Sequence, residues 1–266
     1  MRIVRFVDRA GREQFGAQVD ETTARLFDRS PFDGGTVTDQ TETIARLLAP
    51  CHPPAIFAIG LNYRRHAQEV KAETPEFPVV FLKASGSLQH PNAPIVLPRA
   101  EPIEVDYEAE LTVVIGRTAK NVPRDRALEH VLGYTCANDV SGRRWQIRRG
   151  GTQWCRGKSF DTFCPLGPAI VTKDDIPNPN ALTLRTIIDD EILQDWNTDD
   201  MIFDVPSLVS FVSEGTTLAP GTVILTGTPH GVGFMRRPTR FLQAGERVVV
   251  EIEKIGRLEN PVEAES

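Results

Sequence analysis

The chain has 266 residues, 40% of them hydrophobic and 25% charged, with a formal charge of −6. A chain of this length buries a core without disulfides, and its acidic balance excludes a general nucleic-acid binder, which carries a basic face. Gly 20 and Pro 20 suit many strands and turns rather than a helical bundle.

The start, Met1 to Arg5, is charged and lacks an apolar signal core. Cys51, Cys136, Cys155 and Cys164 form no CxxC pair, so reduced, mostly buried thiols in a cytoplasmic protein are expected. The uncharged run Thr216 to Met235 is broken by Pro220, Pro229 and glycines, which excludes a membrane helix.

Residues 1–50 read as a small N-terminal β-rich domain. Strands are expected at Ile3 to Val7 and Phe15 to Val19, with a turn at Gly11. Asp39 with Glu42 resembles a capping box, and Ile44, Leu47 and Leu48 share a helical face, which predicts a helix before Pro50. Cys51-His52-Pro53-Pro54 reads as a stiff linker into a second unit, 51–266.

In that unit, strands are expected at 55–59, 79–82, 107–115, 133–140, 222–226 and 247–252. Short helices are expected from Arg124 to His130, ending at Gly133, and from Pro206 to Ser213, capped by Asp204. So few helices disfavour a doubly wound parallel sheet. The class is mostly β with short helices, α+β.

The 107–115 strand carries the first chemical signal. Tyr107, Ala109, Leu111, Val113 and Ile115 point one way, and Glu108, Glu110 and Thr112 the other. The two carboxylates project side by side, roughly 6.5–7 Å apart at Cα. Two readings stand: the solvated face of an edge strand, or two ligands for a hard divalent cation. Asn138-Asp139 ends the next strand, Lys158 follows Gly157, and Thr226-Gly227-Thr228-Pro229 is a turn after an apolar strand. Acids, a lysine and small polar residues thus gather at strand ends, where sites form.

Five motifs occur in order: Asn62-Tyr63-Arg64-Arg65-His66-Ala67-Gln68-Glu69, Asp106-Tyr107-Glu108-Ala109-Glu110-Leu111, Asn138-Asp139-Val140-Ser141, Gly157-Lys158-Ser159-Phe160-Asp161, and Thr226-Gly227-Thr228-Pro229-His230-Gly231-Val232-Gly233. From Ile56 to Val262 the chain resembles the fumarylacetoacetate hydrolase (FAH) family, in its acylpyruvase and hydroxymuconate-isomerase-like branch. The resemblance implies a mixed β-roll behind a small N-terminal β unit, working as a homodimer. It assigns a divalent cation, Mg²⁺ or Mn²⁺ with Ca²⁺ as a further option, to Glu108, Glu110 and Asp139, and places Lys158 beside it as a catalytic residue. Three carboxylates suit such hard cations rather than zinc.

The resemblance also makes His66 and Glu69 a catalytic dyad on a lid. The charged run Lys71 to Pro78 then reads as a mobile flap with little apolar anchoring. Asn62, Tyr63, Gln146 and Thr228 are the implied substrate contacts. Two positions depart from the family pattern: Arg144 stands where relatives carry an Asp, and Glu246 follows Gly245 where they carry another Asp.

The activity implied is metal-dependent hydrolysis of a C–C bond in a 2,4-dioxo acid of acylpyruvate or fumarylpyruvate type. Water activated by His66 and Glu69 would attack the distal carbonyl and release pyruvate and a carboxylic acid. Isomerases of 2-hydroxyhepta-2,4-diene-1,7-dioate or carboxymethyl-hydroxymuconate type, and oxaloacetate decarboxylases or tautomerases, share the motifs. A non-catalytic metal-bound binding protein is the alternative of another class. The expected partner is a small 2-oxo or 2,4-dioxo acid, with no nucleic acid and no membrane.

Overall fold

The computed structural model describes residues 1–149 and 151–266. The chain opens with a meander, β1 (Arg2–Val7), β2 (Glu13–Gln18), β3 (Thr23–Phe27) and β4 (Val37–Thr43), and β5 (Arg46–Leu48) returns to pair with β1. The helix expected before Pro50 does not form. Val37, Thr38, Thr41 and Thr43 branch at Cβ and favour extended backbone, so Asp39 and Glu42 lie within β4, and Leu47 and Leu48 pair with β1.

β6 (Ile56–Gly60) leads into α1 (Arg64–Glu69), followed by β7 (Val79–Lys83), β8 (Leu88–Gln89), β9 (Ile95–Leu97), β10 (Val105–Asp106) and β11 (Ala109–Ile115). Next come β12 (Val131–Asn138), β13 (Ser141–Gly142), α2 (Trp154–Lys158), β14 (Cys164–Thr172), β15 (Thr183–Ile188) and β16 (Glu191–Asn197). α3 (Val205–Ser213), β17 (Val223–Leu225), β18 (Arg247–Ile252) and β19 (Gly256–Ala264) complete the fold.

The large sheet runs β4-β3-β2-β1-β14-β12-β11-β17-β6-β7, and the second runs β16-β15-β18-β19-β9. Ile3 pairs with Ile170, so the first fifty residues continue the sheet of the second unit. Leu111, Val113 and Ile115 of β11 meet Leu184 of β15, Val250 and Ile252 of β18, and Leu208 and Val209 of α3. Across the large sheet, Val114, Ala137 and Leu225 pack with Phe81 and the half-buried Phe15 and Phe27. Both faces of β11 are therefore covered, and it lies between β12 and β17 rather than at an edge.

The α3 start follows the local code: the Asp204 side chain accepts from Ser207 N, and Pro206 stands in the first turn. The segment Arg124–His130 is a 3-10 helix capped by Val131, not by Gly133. Gly133 lies inside β12, where a Cβ would meet the Val171 carbonyl oxygen at 2.2 Å. Cys51, Cys136 and Cys164 are buried, and Cys155 is exposed. No helix among the described residues is long and apolar enough to cross a membrane.

Candidate active site

Antiparallel pairing of β11 with β12 sets Ala109 opposite Asn138. The Asp139 N–H then donates to the Glu108 carbonyl at 2.9 Å, and Asn138 Oδ1 accepts from the Glu108 N–H at 3.0 Å. Strand parity and this register bring Glu108, Glu110 and Asp139 together. A ligand oxygen from each lies within 4.8 Å of the others, and all three residues are buried.

Three cations surround the acids. Lys158, at the end of α2, places Nζ 2.6 Å from Glu108 and 2.7 Å from Asp139. Lys83, at the end of β7, places Nζ 2.5 Å from Asp139. Arg143 donates to Asp106 at 2.8 Å, to Glu108 at 2.7 Å and to Gln146 Oε1 at 2.7 Å, and stacks on Phe234. Burial would raise the Glu108 carboxyl, but Lys158 and Arg143 outweigh it and hold it down to about 2.

Glu110 is different. Its carboxylate accepts the Gly227 N–H at 2.7 Å and has no ion-pair partner among the described residues. Burial, with Asp139 and Glu108 beside it, pushes its carboxyl well above the ordinary value. A buried carboxylate without a counter-charge, next to two more, fits a hard divalent cation held by oxygens. With Asp106 the group is four acids against three cations, so a doubly charged ion turns it net positive and attractive to an anionic substrate. Gly227 has φ +97°, and a Cβ there would lie 2.9 Å from Asn62 Cβ, so the close N–H approach to Glu110 needs glycine.

The dyad faces this cluster from α1. His66 Nδ1 lies 3.1 Å from Glu69 Oε2, and Glu69 Oε1 accepts the Gly231 N–H at 2.9 Å. Glu69 is thus held from two sides, and it fixes the His66 imidazole through Nδ1. α1 itself, ahead of the expected flap, is anchored to its surroundings. His66 and Ala67 are buried, Arg64 donates to the Met201 carbonyl at 2.7 Å, and Arg65 lies over the Trp196 ring. In the following run, Phe77 stacks on Phe211 with ring centroids 6.3 Å apart.

A cavity of about 260 Å³ joins the two halves of the site. His66, the three acids, Lys158, Arg143, Gln146 and Thr228 line it, with Trp154, Phe81 and Phe234 as apolar wall. Asn62 and Tyr63 are not brought to it. Asn62 Nδ2 donates to the Thr226 and Phe203 carbonyls and Oδ1 accepts from Phe203 N, so its amide is spent on two loops. Tyr63 is buried in the core between the sheets. The Tyr63 hydroxyl is buried without a hydrogen-bond partner.

Three charged residues of the site were not read from the sequence: Lys83, Arg143 and Asp106. Asp106 opens one of the five motifs and Arg143 follows another by two residues, but pairing between them depends on β10 meeting β13. Lys83 follows the apolar run Val79 to Leu82 and by itself reads as a solvated strand end. The Arg144 charge reversal leaves the acids undisturbed, because Arg143 takes Asp106 and Glu108, while Arg144 lies near Glu101.

Residues 55–263 match the family described as Fumarylacetoacetate (FAA) hydrolase C-terminal, and residues 1–50 match Rv2993c-like, N-terminal. The chain is 48% identical over 217 residues to the mitochondrial oxaloacetate tautomerase fahd2 of Xenopus laevis, covering 81% of this chain and 68% of that one. The solved 5-carboxymethyl-2-hydroxymuconate delta-isomerase of Mycobacterium smegmatis is 39% identical with a TM-score of 0.88, over 100% of both chains. The 2-hydroxyhepta-2,4-diene-1,7-dioate isomerase of Mycobacterium marinum is 38% identical with a TM-score of 0.85, over 100% of this chain and 99% of that one. The match across 55–263, on a site built from the family's own motifs, means that this chain belongs to the fumarylacetoacetate hydrolase family.

Proposed function

We propose that this is a divalent-metal-dependent enzyme of small 2-oxo acids that shifts a proton between carbon and oxygen, as in oxaloacetate tautomerisation or hydroxymuconate isomerisation. The observation that carries the reading is His66, its Nδ1 tied to Glu69, facing three buried carboxylates across one cavity of about 260 Å³. Both the tautomerase and the isomerase named above as relatives perform reactions of this kind.

Glu108, Glu110 and Asp139 would hold a divalent ion, which would supply Lewis acidity toward an anionic 2-oxo acid. The chain's own residues do the rest. His66 Nε2 takes the proton from the carbon next to the 2-oxo group and returns it at the enol oxygen, or the reverse. Glu69 keeps the imidazole oriented and stabilises its charged form. Lys158 and Arg143 fix the Glu108 and Asp139 carboxylates and add positive charge where the substrate's oxygens sit. Gln146 and Thr228 orient the substrate from the cavity wall, and Trp154 and Phe81 keep bulk water from the reacting carbon.

Hydrolysis of an acylpyruvate is the second reading, and the doubly anchored Glu69 favours it: the same dyad can act on a water molecule, with attack on the distal carbonyl and loss of pyruvate. A binding protein would need no such base. The deciding assay offers oxaloacetate enol, hydroxymuconate-type dienoic acids and acylpyruvates, each with Mg²⁺ or Mn²⁺. The expected result is enol loss accelerated at least about 10²-fold over buffer, without pyruvate in equal amount to substrate consumed. Stoichiometric pyruvate from an acylpyruvate moves the assignment to the hydrolase. No acceleration with any of the acids refutes both.

A further inference from the structure

We propose that Gln194 is a positioning residue of this site: it fixes the direction in which Thr228 offers its hydroxyl proton to the substrate, an inference that rests on the 2-oxo-acid reading. Gln194 stands on β16 of the second sheet and is buried. Its amide is fully committed. Oε1 accepts from the Ala109 N–H at 3.0 Å and from Thr186 Oγ1 at 2.6 Å. Nε2 donates to Thr228 Oγ1 at 2.9 Å and to the Pro229 carbonyl at 2.9 Å. These partners allow one orientation of the amide. A peptide N–H only donates and a carbonyl only accepts, so Ala109 fixes the oxygen end and Pro229 the nitrogen end.

The consequence falls on Thr228. A hydroxyl has one proton to give and lone pairs that accept. Gln194 Nε2 fills the accepting role, so the Thr228 proton cannot turn toward Gln194. Thr228 lines the cavity with Glu108 and Lys158. Its proton is therefore directed at the space where an anionic substrate oxygen sits, and a hydrogen bond to such an oxygen is about twice as strong as a neutral one. The same amide holds the peptide N–H of Ala109, the residue between Glu108 and Glu110. One side chain from the second sheet thus ties two carboxylates of the proposed cation site to the hydroxyl that meets the substrate.

Gln194→Glu tests this. It keeps the accepting oxygen toward Ala109 and replaces the donor toward Thr228 by a second oxygen, which draws the Thr228 proton away from the cavity. Gln194→Met removes the amide without adding charge and serves the same comparison if the first variant does not fold. Thr228→Val removes the proton, and Thr228→Ser keeps it. The probe is oxalate, a stable analogue of a 2-oxo acid, titrated calorimetrically into protein saturated with Mn²⁺. Mn²⁺ affinity and Tm of the metal-free proteins are measured alongside.

Gln194→Glu and Thr228→Val should each weaken oxalate roughly tenfold or more. The double variant should bind no worse than Thr228→Val alone, because the two changes remove one interaction. Thr228→Ser should stay within about threefold of the parent, and Mn²⁺ affinity should change far less than oxalate affinity in every variant. Parent protein that binds oxalate while Gln194→Glu binds it equally well overturns the orienting role alone. So do losses that multiply in the double variant, or a Mn²⁺ affinity that falls as far as oxalate affinity, which marks a merely structural role. Parent protein that fails to bind oxalate overturns the 2-oxo-acid reading and this inference with it.

Discussion

Removing the Arg143 guanidinium should cost the fold more than any other single change among the cations of the site. Arg143 is buried, and its three donating nitrogens reach Asp106, Gln146 and Glu108 at 2.8, 2.7 and 2.7 Å. Arg143→Met fills similar volume but leaves two buried carboxylates facing each other's charge. Breaking a buried pair by removing one partner costs about 3–5 kcal/mol. Asp106 keeps part of its satisfaction, because the N–H groups of Gly233, Phe234 and Tyr107 donate to it. The lower part of that range, about 3 kcal/mol, is therefore expected.

For a chain of 266 residues, a loss of that size lowers Tm by roughly 6–12 °C. The assay is urea unfolding in the presence of a chelator, so that no bound cation compensates, with calorimetry as a second probe. Arg143→Lys keeps one charge but loses the fork, and should fall between Met and the parent. A loss below about 1 kcal/mol for Arg143→Met, with an unchanged slope, would mean that solvent or a neighbouring cation already screens these acids. The charge balance drawn for the site would then be wrong.

His66→Ala should lower turnover of the best 2-oxo acid about 10²–10⁴-fold while divalent-ion affinity, read by calorimetry, stays at the parent value, since His66 is not among the three proposed ligands. Glu110→Gln should weaken that affinity without a large loss of Tm in chelator, because it removes the one acid of the cluster that lacks a counter-charge; equal ion binding by parent and variant would exclude Glu110 from the ligand set. At Gly60 a Cβ would meet Trp154 Cζ3 at 2.3 Å. Gly60→Ala should therefore displace the indole from the cavity wall, at a cost of about 1–3 kcal/mol from overpacking, and raise KM; an unchanged tryptophan emission and KM would contradict it. His90 Nδ1 accepts the Ala49 N–H at 3.1 Å, and burial, with Arg5 and Arg46 nearby, lowers its pKa. The unfolded chain then binds more protons, so the stability His90 contributes is complete above about 6.5 and is lost as pH falls toward the folded value. Unfolding free energy measured from pH 7.5 to 5 should fall less steeply in His90→Asn, and identical slopes would rule the linkage out.

The residues alone made legible the fold class, the strands that carry the acids and the acids themselves, but not β4, β5, β14 to β16 or β19. Alternation from Tyr107 to Ile115 put Glu108 and Glu110 on one face, because side chains of a strand alternate whatever it pairs with. Asp204 and Pro206 marked the start of α3 by local capping alone. Five ordered motifs carried the family, with His66, Asp139, Lys158, Gln146 and Thr228 brought to one cavity and Glu69 held behind His66.

Local signals failed where pairing decides. The capping-box pattern at Asp39 and Glu42 lost to strand partners that lie elsewhere in the chain, β3 and β1. Whether the glutamates faced water or an interior depended on β12 and β17 flanking β11, and on the second sheet and α3 covering it. Asn62 and Tyr63 carry motif positions, yet backbone carbonyls and the core claimed them. Lys83, Arg143, Asp106 and Gln194 reach the site from four separate strands or strand ends. Their roles exist only as distances between segments remote in sequence. Spacing along a chain specifies what is local, and burial, ion pairing and the direction of a hydroxyl proton are set by what the folded chain places opposite.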